Sequence, residues 1–180
     1  MAPIQTHNGL NILNIFATSS CPIQSAQEHC NTHVVKMATE VMQLLSTAHC
    51  VVDGNQVAMK QTHVNHPNAK WCRNTKQNYM WAWQHAKALC DEYTFRTGRV
   101  HASSRFLDAL KQVPVGIHKE ELEPFAMAMP EEFKVHGLFD QTKAYRMYLN
   151  AKFKEWTTRT ERRQIVATWS NRSKPTWIED

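Results

Sequence analysis

Four polar residues early in the chain share a spacing that could support chemistry: His29, His33, Lys36 and Glu40. Their steps of four, three and four residues place them in one row along a helix, beside its apolar stripe. An amine that is partly buried there loses its proton more easily, so Lys36 is a candidate nucleophile, with Glu40 or His33 as the proton carrier. Any long amphipathic helix also has a polar edge, so an ordinary Lys36–Glu40 ion pair is the alternative interpretation.

Basic and aromatic residues interleave around residues 60–105 and 143–174, with an acidic stretch at 120–132 between them. Residues 143–174 hold nine basic and two acidic residues, which gives them +7 in a chain whose net charge is +5. Lysine and arginine neutralise phosphates, while tryptophan and tyrosine stack on exposed bases. The predicted partner is therefore DNA, through its phosphate backbone and one unstacked base, unless the C-terminal cations form only a solvated helix face. The candidate nucleic-acid-binding residues are Arg73, Lys76, Arg146, Arg162, Arg163, Arg172, Lys174 and Trp177.

Histidine and cysteine are common zinc ligands, and the chain has ten histidines and five cysteines. His63 and His66 lie three residues apart, with His49, Cys50 and Cys72 nearby in sequence. No pair matches the spacing of a zinc finger or a metalloprotease helix, so we predict no metal site and no cofactor, while binding by His63 and His66 stays open. An odd number of cysteines without a CxxC pair favours reduced thiols in the cytosol.

Apolar residues at helical steps predict a long first helix, with Ser20 as the N-cap, Pro22 in the first turn and an end near His49. At about 1.5 Å per residue this helix would span roughly 40 Å, which makes it the central helix of the fold. Similar patterns, with Gly98 as a stop signal and Asp140 as a cap, predict four further helices. These cover residues 74–98, 103–113, 140–156 and 161–169.

The connecting segments carry weaker signals. The apolar run at residues 12–16 predicts a strand or a buried segment. Asp53-Gly54 is a turn signal flanked by valines, which allows a small β-hairpin near residues 50–58. Residues 115–137 contain two prolines and two glycines and predict a loop with one turn near 125–129.

Length and composition set the class of protein. A chain of 180 residues, 42% hydrophobic and 21% charged, fits one globular domain. Residues 1–11 lack periodicity and predict a flexible leader, so the domain covers residues 12–180. We therefore predict a mainly α fold, a single compact helical domain around one long central helix. The sequence has neither a secretory signal nor a run of roughly 20 apolar residues, so we expect a cytoplasmic protein without membrane contact.

Four segments form a recognisable pattern: Asn14-Ile15-Phe16, His33-Val34-Val35-Lys36-Met37, Leu45-Ser46-Thr47-Ala48-His49 and Trp169-x-x-Arg172-x-x-Pro175-x-Trp177. In these segments the chain resembles a group of small phage proteins, most of which carry no assigned activity. The resemblance covers most of the chain from residue 12. It implies that the protein works in the cytoplasm of an infected bacterial host.

A more distant resemblance rests on Ala26-Gln27-Glu28-His29, on Ala48-His49 before Asp53-Gly54-Asn55, and on Lys174-Pro175-Thr176-Trp177. In the order of these elements the chain is similar to the phage endonuclease V type of pyrimidine-dimer DNA glycosylase. That family implies an all-helical fold and a wedge into damaged DNA. It also implies attack on the sugar carbon by an α-amino group, assisted by a helix glutamate.

The chain departs from this glycosylase pattern at two places. Residues precede Asn14, so the chain's own α-amine need not reach the site. Counted from His29, the place of the glutamate falls near Lys36, and Glu40 lies one turn further on. Lys36 would then take the role of the amine and form a Schiff base with the sugar, or the scaffold serves another reaction or none.

The sequence thus predicts a DNA-directed enzyme of glycosylase or glycosylase/lyase type that acts on an extruded base or nucleotide. Its catalytic residues would be Lys36, Glu40, His33 and His29. The first alternative is a phage enzyme that modifies unusual DNA bases or nucleotides without glycosidic cleavage. The second is a non-enzymatic module that binds nucleic acid or a host protein.

Overall fold

The secondary structure of the protein is helical. The computed structural model describes residues 13–179, and within that range it contains six α-helices and no β-strand. The helices are α1 (Pro22–Glu28), α2 (Asn31–Val52), α3 (Pro67–Cys72), α4 (Lys76–Thr97), α5 (Glu131–Lys134) and α6 (Gln141–Thr158), with 3₁₀ turns at Ala102–Phe106 and Val135–Gly137. The predicted mainly α fold is confirmed, while the predicted leader lies outside the described residues. None of the helices described is long and apolar enough to cross a membrane.

The core lies between α2 and α4, which are 22 residues long each. α2 buries Val34, Met37 and Val41 at steps of three and four, and α4 buries Tyr79 and Leu89. Each buried side chain of this size contributes about 1.5–3 kcal/mol through removal of its apolar surface from water. α1 packs against α4, and α6 reaches α2 through aromatic side chains.

The long first helix is predicted incorrectly in one respect, because the helix is interrupted after Glu28. Arg96 donates hydrogen bonds to the carbonyl groups of Gln27 and His29, at 2.9 and 2.8 Å. Trp169 Nε1 donates to the carbonyl of Glu28 at 2.9 Å. A helix end leaves its last carbonyls without helical partners, and these distant side chains satisfy them. The break therefore depends on tertiary contacts that local periodicity does not reveal.

The hairpin predicted near residues 50–58 is wrong, since the described residues show no strand pairing there. α2 continues to Val52, and the chain then turns at Asp53 and Gly54, where φ is +71°. The loop that follows bonds to α2 instead of to a neighbouring strand. Met59 N donates to Ser46 Oγ at 3.2 Å, for example. Hydroxyl groups on α2 therefore satisfy backbone donors that a hairpin would pair across strands.

Other local predictions are also corrected. The helix predicted at 103–113 is reduced to a 3₁₀ turn, and residues 161–169 contain no helix. α3 is not among the predicted helices, although His66 as a cap and Pro67 in the first turn are its signals. The turn predicted near 125–129 is absent from those residues, and the nearest helix, α5, begins at Glu131 after Pro130. Residues 13–16 form a buried segment, one of the two states predicted for them.

The helices predicted at 74–98 and 140–156 are confirmed as α4 and α6. Thr75 caps α4, because its Oγ1 accepts a hydrogen bond from Asn78 N at 3.0 Å. Gly98 ends α4 in a left-handed conformation with φ of +69°. Asp140 caps α6 by accepting from Thr142 N at 3.0 Å. Local capping signals therefore fix both ends of α4 and the start of α6.

Replacing Thr75 by alanine should lower the free energy of unfolding by about 1 kcal/mol, because Asn78 N then loses its acceptor. Thr75→Ser keeps the hydroxyl group and is the matched control, for which a smaller loss is expected. Denaturant titration of both variants measures the difference. Equal losses would show that packing of the Thr75 methyl group, and not the cap, stabilises α4.

Residues 165–178 form an irregular segment with turns at residues 170–171 and 176–177, called here the strap, that lies across the junction of α1 and α2. Asn31 N donates to Thr168 O at 2.8 Å, and Asn31 Oδ1 accepts from Ser170 N at 3.0 Å. The ring of Trp169 packs edge-on against Phe153 of α6, with 6.0 Å between ring centres. The strap therefore connects the junction of α1 and α2 to α6, which lies far along the chain.

Candidate active site

The chain turns sharply beside α2 just before α1. Asn14 N donates to Glu40 Oε2 at 3.0 Å, and Asn14 Oδ1 accepts from the N–H groups of Ile15 and Phe16 at 2.8 and 3.1 Å. Phe16 has a φ of +43°, a left-handed conformation that costs a bulky residue about 1–3 kcal/mol. These bonds hold the strained turn in place and direct the Phe16 ring toward the residues described next.

Glu40 is a buried carboxyl group with two partners. Its Oε1 lies 3.1 Å from Lys36 Nζ, and its Oε2 accepts the hydrogen bond from Asn14 N. The side chain of Glu40 is 7% exposed and that of Lys36 is 49% exposed. Burial raises the pKa of Glu40, and the charge and hydrogen bond of Lys36 oppose the shift. Such a carboxyl group can take up and release a proton nearer neutral pH, as a general acid or base does.

A second amine, Lys152, lies on α6 among aromatic rings. Its Nζ is 5.7 Å from the ring centre of Tyr148 and 5.8 Å from that of Trp156. Burial lowers the pKa of Lys152, the charge of Lys36 lowers it further, and Glu40 acts in the opposite direction. Lys152 is not among the site residues predicted from the sequence. The available signal was the recurrence of Tyr148, Lys152 and Trp156 at every fourth position, on one face of a helix.

His33 lies between α2 and these rings. Its ring centre is 4.8 Å from Phe16, 5.5 Å from Phe153 and 5.0 Å from Trp156. Burial holds the pKa of His33 well below its usual value, and neighbouring histidine and lysine charges add to this effect. Its Nδ1 is buried and has no hydrogen-bond partner among residues 13–179. Because buried polar atoms almost always have a partner, this nitrogen is a candidate to bond a bound molecule.

His29 lies behind this group, at the junction of α1 and α2. Its Nδ1 is 2.6 Å from the carbonyl of Ser25, which can only accept, so Nδ1 carries the proton. The His29 ring is 5.2 Å from His85 and 6.0 Å from His33. Burial lowers the pKa of His29 to about 3. The structure thus places Lys36, Glu40 and His33 near one another and sets His29 in the core, where it borders the group through His33.

Two of the candidate nucleic-acid-binding residues pair with carboxylates of the protein, and a third is half-buried. Arg172 donates to both carboxylate oxygens of Glu92, each at 2.9 Å. Lys76 Nζ lies 2.5 Å from Glu120, so one carboxylate of the acidic stretch is used at the start of α4. Arg73 is half-buried, and burial lowers its pKa. Arg172 and Lys76 are therefore less available to phosphates than their charge alone indicates, whereas Nη1 of Arg73 is buried and has no hydrogen-bond partner among residues 13–179.

The other five candidates lie on α6 or after it. Arg146 donates to a backbone carbonyl at 2.8 Å, and its guanidinium lies 6.0 Å from the ring centre of Trp177. Trp177 is half-buried, so it packs against the protein. Arg162, Arg163 and Lys174 have exposed side chains. Arg162 and Arg163 are therefore the arginines of this set best placed to meet a phosphate backbone.

His63 and His66, considered above for metal binding, have local hydrogen bonds. His63 Nδ1 is 2.6 Å from Thr62 Oγ1, and His66 Nδ1 accepts from Asn68 N at 3.2 Å as the cap of α3. Within the part of the chain that the structure describes, no group of three or more histidine, cysteine, aspartate or glutamate side chains is arranged to hold a metal ion.

Comparison of the chain with known protein families, curated proteins and solved structures finds no match. Functional interpretation therefore rests on the site itself. Its components are two amines, Lys36 and Lys152, the buried carboxyl group of Glu40, the neutral ring of His33 and a group of aromatic side chains.

Proposed function

We propose that the protein is a DNA-directed enzyme of glycosylase or glycosylase/lyase type, which acts on an extruded base or nucleotide. The observation that carries this proposal is the buried carboxyl group of Glu40, whose Oε1 lies 3.1 Å from the amine of Lys36 and whose charge also acts on Lys152 among its aromatic neighbours. An amine can attack a sugar carbon, and a carboxyl group can move the protons that this attack requires. A base that leaves the duplex no longer stacks on its neighbouring bases, and aromatic side chains can stack on it in their place.

The aromatic rings divide into supporting rings and one accessible ring. Phe16 and Trp156 are buried, at 6% and 7% exposure, and hold the surrounding side chains in place. Tyr148 is half-buried, so its ring is the one that can stack on an incoming base. Stacking of this kind contributes about 1–3 kcal/mol per base. We therefore assign base contact to Tyr148 and proton transfer to Glu40.

The charge around Lys152 favours a nucleic acid as the larger ligand. α6 and the residues that follow it carry the exposed cations Lys143, Lys154, Arg162 and Arg163. Cations on one helix and its extension can follow a phosphate backbone while Lys152 faces a single nucleotide. The exposed acidic residues of this stretch, Glu155 and Glu161, are fewer than its exposed cations, so the net charge of this surface is positive.

Excision of an altered base from duplex oligonucleotides tests the proposed function. Each duplex carries one lesion, such as a pyrimidine dimer, uracil, an oxidised base or an abasic site. Glu40→Gln should reduce cleavage by about 10²–10⁴-fold, because it removes the proton carrier but keeps an acceptor for Asn14 N. Glu161→Gln, an exposed change, is the matched control and should cleave normally.

Two other results of this experiment would contradict a glycosylase. Release of a modified group from an intact nucleotide would indicate a base-modifying enzyme that uses the same pocket. Binding of every duplex without any chemical change, by wild type and Glu40→Gln alike, would indicate a non-enzymatic binding module. Thermal unfolding of both variants shows whether each is folded.

DNA binding should weaken as the salt concentration rises. For each phosphate that the protein neutralises, a tenfold rise in salt should lower the logarithm of the binding constant by about 0.9. Replacing Arg162 and Arg163 by glutamine should make this slope shallower by up to about 2. Lys76→Gln is the matched control, because Glu120 already pairs with Lys76. A slope near zero for the wild type would exclude DNA as the partner and favour a protein.

A further inference from the structure

A small pocket opens beside the strap, between the start of α2 and the end of α4. Helix α2 contributes Asn31, Val34 and Val35 to its walls, α4 contributes Tyr93 and Arg96, and the strap contributes Ser170. The volume of the pocket is about 130 Å³, roughly ten times the space that one buried water needs. The pocket is therefore large enough for a small molecule.

Arg96 supplies the charge of this pocket, and its side chain is only 2% exposed. A guanidinium group has five N–H groups, and four of them donate within the protein. Their acceptors are Glu92 for Nε, His29 O and Asn31 Oδ1 for Nη1, and Gln27 O for Nη2. The second N–H of Nη2 has no acceptor among residues 13–179. Because a buried donor without an acceptor is costly, this N–H favours a ligand that carries an acceptor atom.

The charges around Arg96 leave one positive charge in excess. Arg96 and Arg172 both donate to the single carboxylate of Glu92. Glu28, the other carboxylate at this junction, accepts from Gln24 and forms no ion pair with either arginine in the described part of the chain. The pocket also borders the first turn of α2, where the helix dipole favours a negative group. A ligand with one negative charge would therefore balance this cluster.

We infer that the pocket binds a small organic carboxylate. The carboxylate group accepts hydrogen bonds from Arg96 Nη2 and from the hydroxyl group of Ser170. Ser170 Oγ already accepts from Asn31 Nδ2 at 2.8 Å, so its own proton can go to the ligand. The carbon chain of the ligand lies against the apolar side chains of Val34 and Val35.

Charge and wall chemistry distinguish this ligand from a phosphate group. A phosphate monoester carries a charge of about −1.5 to −2 at pH 7, which exceeds the single positive charge in excess here. A short carboxylate has one negative charge and an apolar chain for the valine wall. The site goes beyond the proposed function, because it lies between α2 and α4, whereas His33 packs on Trp156 of α6.

A bound carboxylate would add a connection between the strap and the core. Asn31 Oδ1 accepts from Ser170 N and from Arg96 Nη1, each at 3.0 Å, so it already joins the strap to the arginine. A ligand that bonds to Ser170 and Arg96 connects the same two elements a second time. Binding should therefore stabilise the strap in its closed position.

Calorimetric titration of the full chain with isobutyrate, at constant ionic strength, tests the inference. Isobutyramide has the same shape without the charge, and inorganic phosphate is the second comparison ligand. Isobutyrate should bind at least about 10-fold more tightly than the amide, since a hydrogen bond to a charged group is lost in the amide. Hydrogen exchange at Ser170 N should slow when isobutyrate is present.

Two variants locate the site. Ser170→Ala should weaken isobutyrate binding by at least about 10-fold, because it removes a donor to the carboxylate. Ser173→Ala is the matched control, since Ser173 is an exposed serine of the same strap that does not line the pocket. Val35→Trp should abolish binding by filling the pocket while it leaves the polar groups in place, and Val35 is 48% exposed, so the larger ring is tolerated. Thermal unfolding confirms that each variant is folded.

Four results would overturn the inference. They are no heat of binding with wild type, equal affinity for isobutyrate and isobutyramide, wild-type binding by Val35→Trp, and equal binding by Ser170→Ala and Ser173→Ala. Tighter binding of phosphate than of isobutyrate would overturn the assignment of a carboxylate. None of these measurements uses DNA, so a failure here leaves the proposed function to its own test.

Discussion

Lowering the pH from 7 to 5 should remove several kcal/mol from the free energy of unfolding. Three histidine rings, His29, His33 and His85, are fully buried and lie next to one another. Burial lowers the pKa of His29 to about 3 and that of His85 to about 4, although two backbone carbonyls near the His85 ring oppose its shift. The pKa of His33 is likewise well below its usual value.

The direction of the effect follows from proton uptake. In the unfolded chain these histidines bind a proton below about pH 6.5, whereas in the folded protein they stay neutral to much lower pH. Their contribution to stability is therefore complete above pH 6.5 and is lost as the pH falls from 6.5 toward the folded values. Each histidine that the unfolded chain protonates changes the free energy of unfolding by about 1.4 kcal/mol per pH unit.

Urea titrations at pH 7, 6 and 5 measure this dependence, and two variants assign it. His29→Gln keeps a donor for the Ser25 carbonyl but cannot titrate, so its stability should depend less steeply on pH. His118→Gln is the matched control, because His118 is exposed, and it should keep the slope of the wild type. An unchanged slope in His29→Gln would assign the acid sensitivity to other groups.

Glu92→Ala should lower the free energy of unfolding by about 3–5 kcal/mol, because it leaves a buried charge without its partner. Glu92 Oε1 accepts from Arg96 Nε at 2.8 Å and from Arg172 Nε at 2.9 Å. The side chains of Arg96 and Glu92 are 2% and 3% exposed. Burial acts to raise the pKa of Glu92, but the hydrogen bonds from Arg172 and Arg96 lower it.

The neighbouring residue provides a matched control. Asp91 pairs with Lys87 on the same helix, but both side chains are more than half exposed. Asp91→Ala should therefore cost about 0–1 kcal/mol. Denaturant unfolding compares the two variants, and a similar small loss in both would show that the Glu92 network does not stabilise the strap.

The parts of the fold that the sequence predicts correctly are those with local causes. α4 and α6 follow from their apolar stripes, from Gly98 at the end of α4 and from Asp140 at the start of α6. The break after Glu28 depends on Arg96 and Trp169, which lie far along the chain. Residues 161–169 resemble a helix locally, but their backbone partners are on other elements, such as Trp156 O for Ile165 N at 3.0 Å.

The candidate site is likewise predictable from the sequence only where its contacts are local. Helical spacing brings Lys36 and Glu40 together, and their ion pair is present at 3.1 Å. Spacing alone cannot assign His29 to the core, because the helix break changes its direction. Lys152 carries a sequence signal, but its importance comes from burial near α2, which only the packing of α6 produces.

The strap has a consequence for synthesis of the protein. Asn31 meets Thr168 and Ser170, and Glu92 meets Arg172, across separations of 137, 139 and 80 residues. A nascent chain cannot complete this packing until residue 172 has left the ribosomal exit tunnel. Until then the strap does not pack on the end of α1 and the start of α2. The protein therefore reaches its final fold only after most of the chain has been translated.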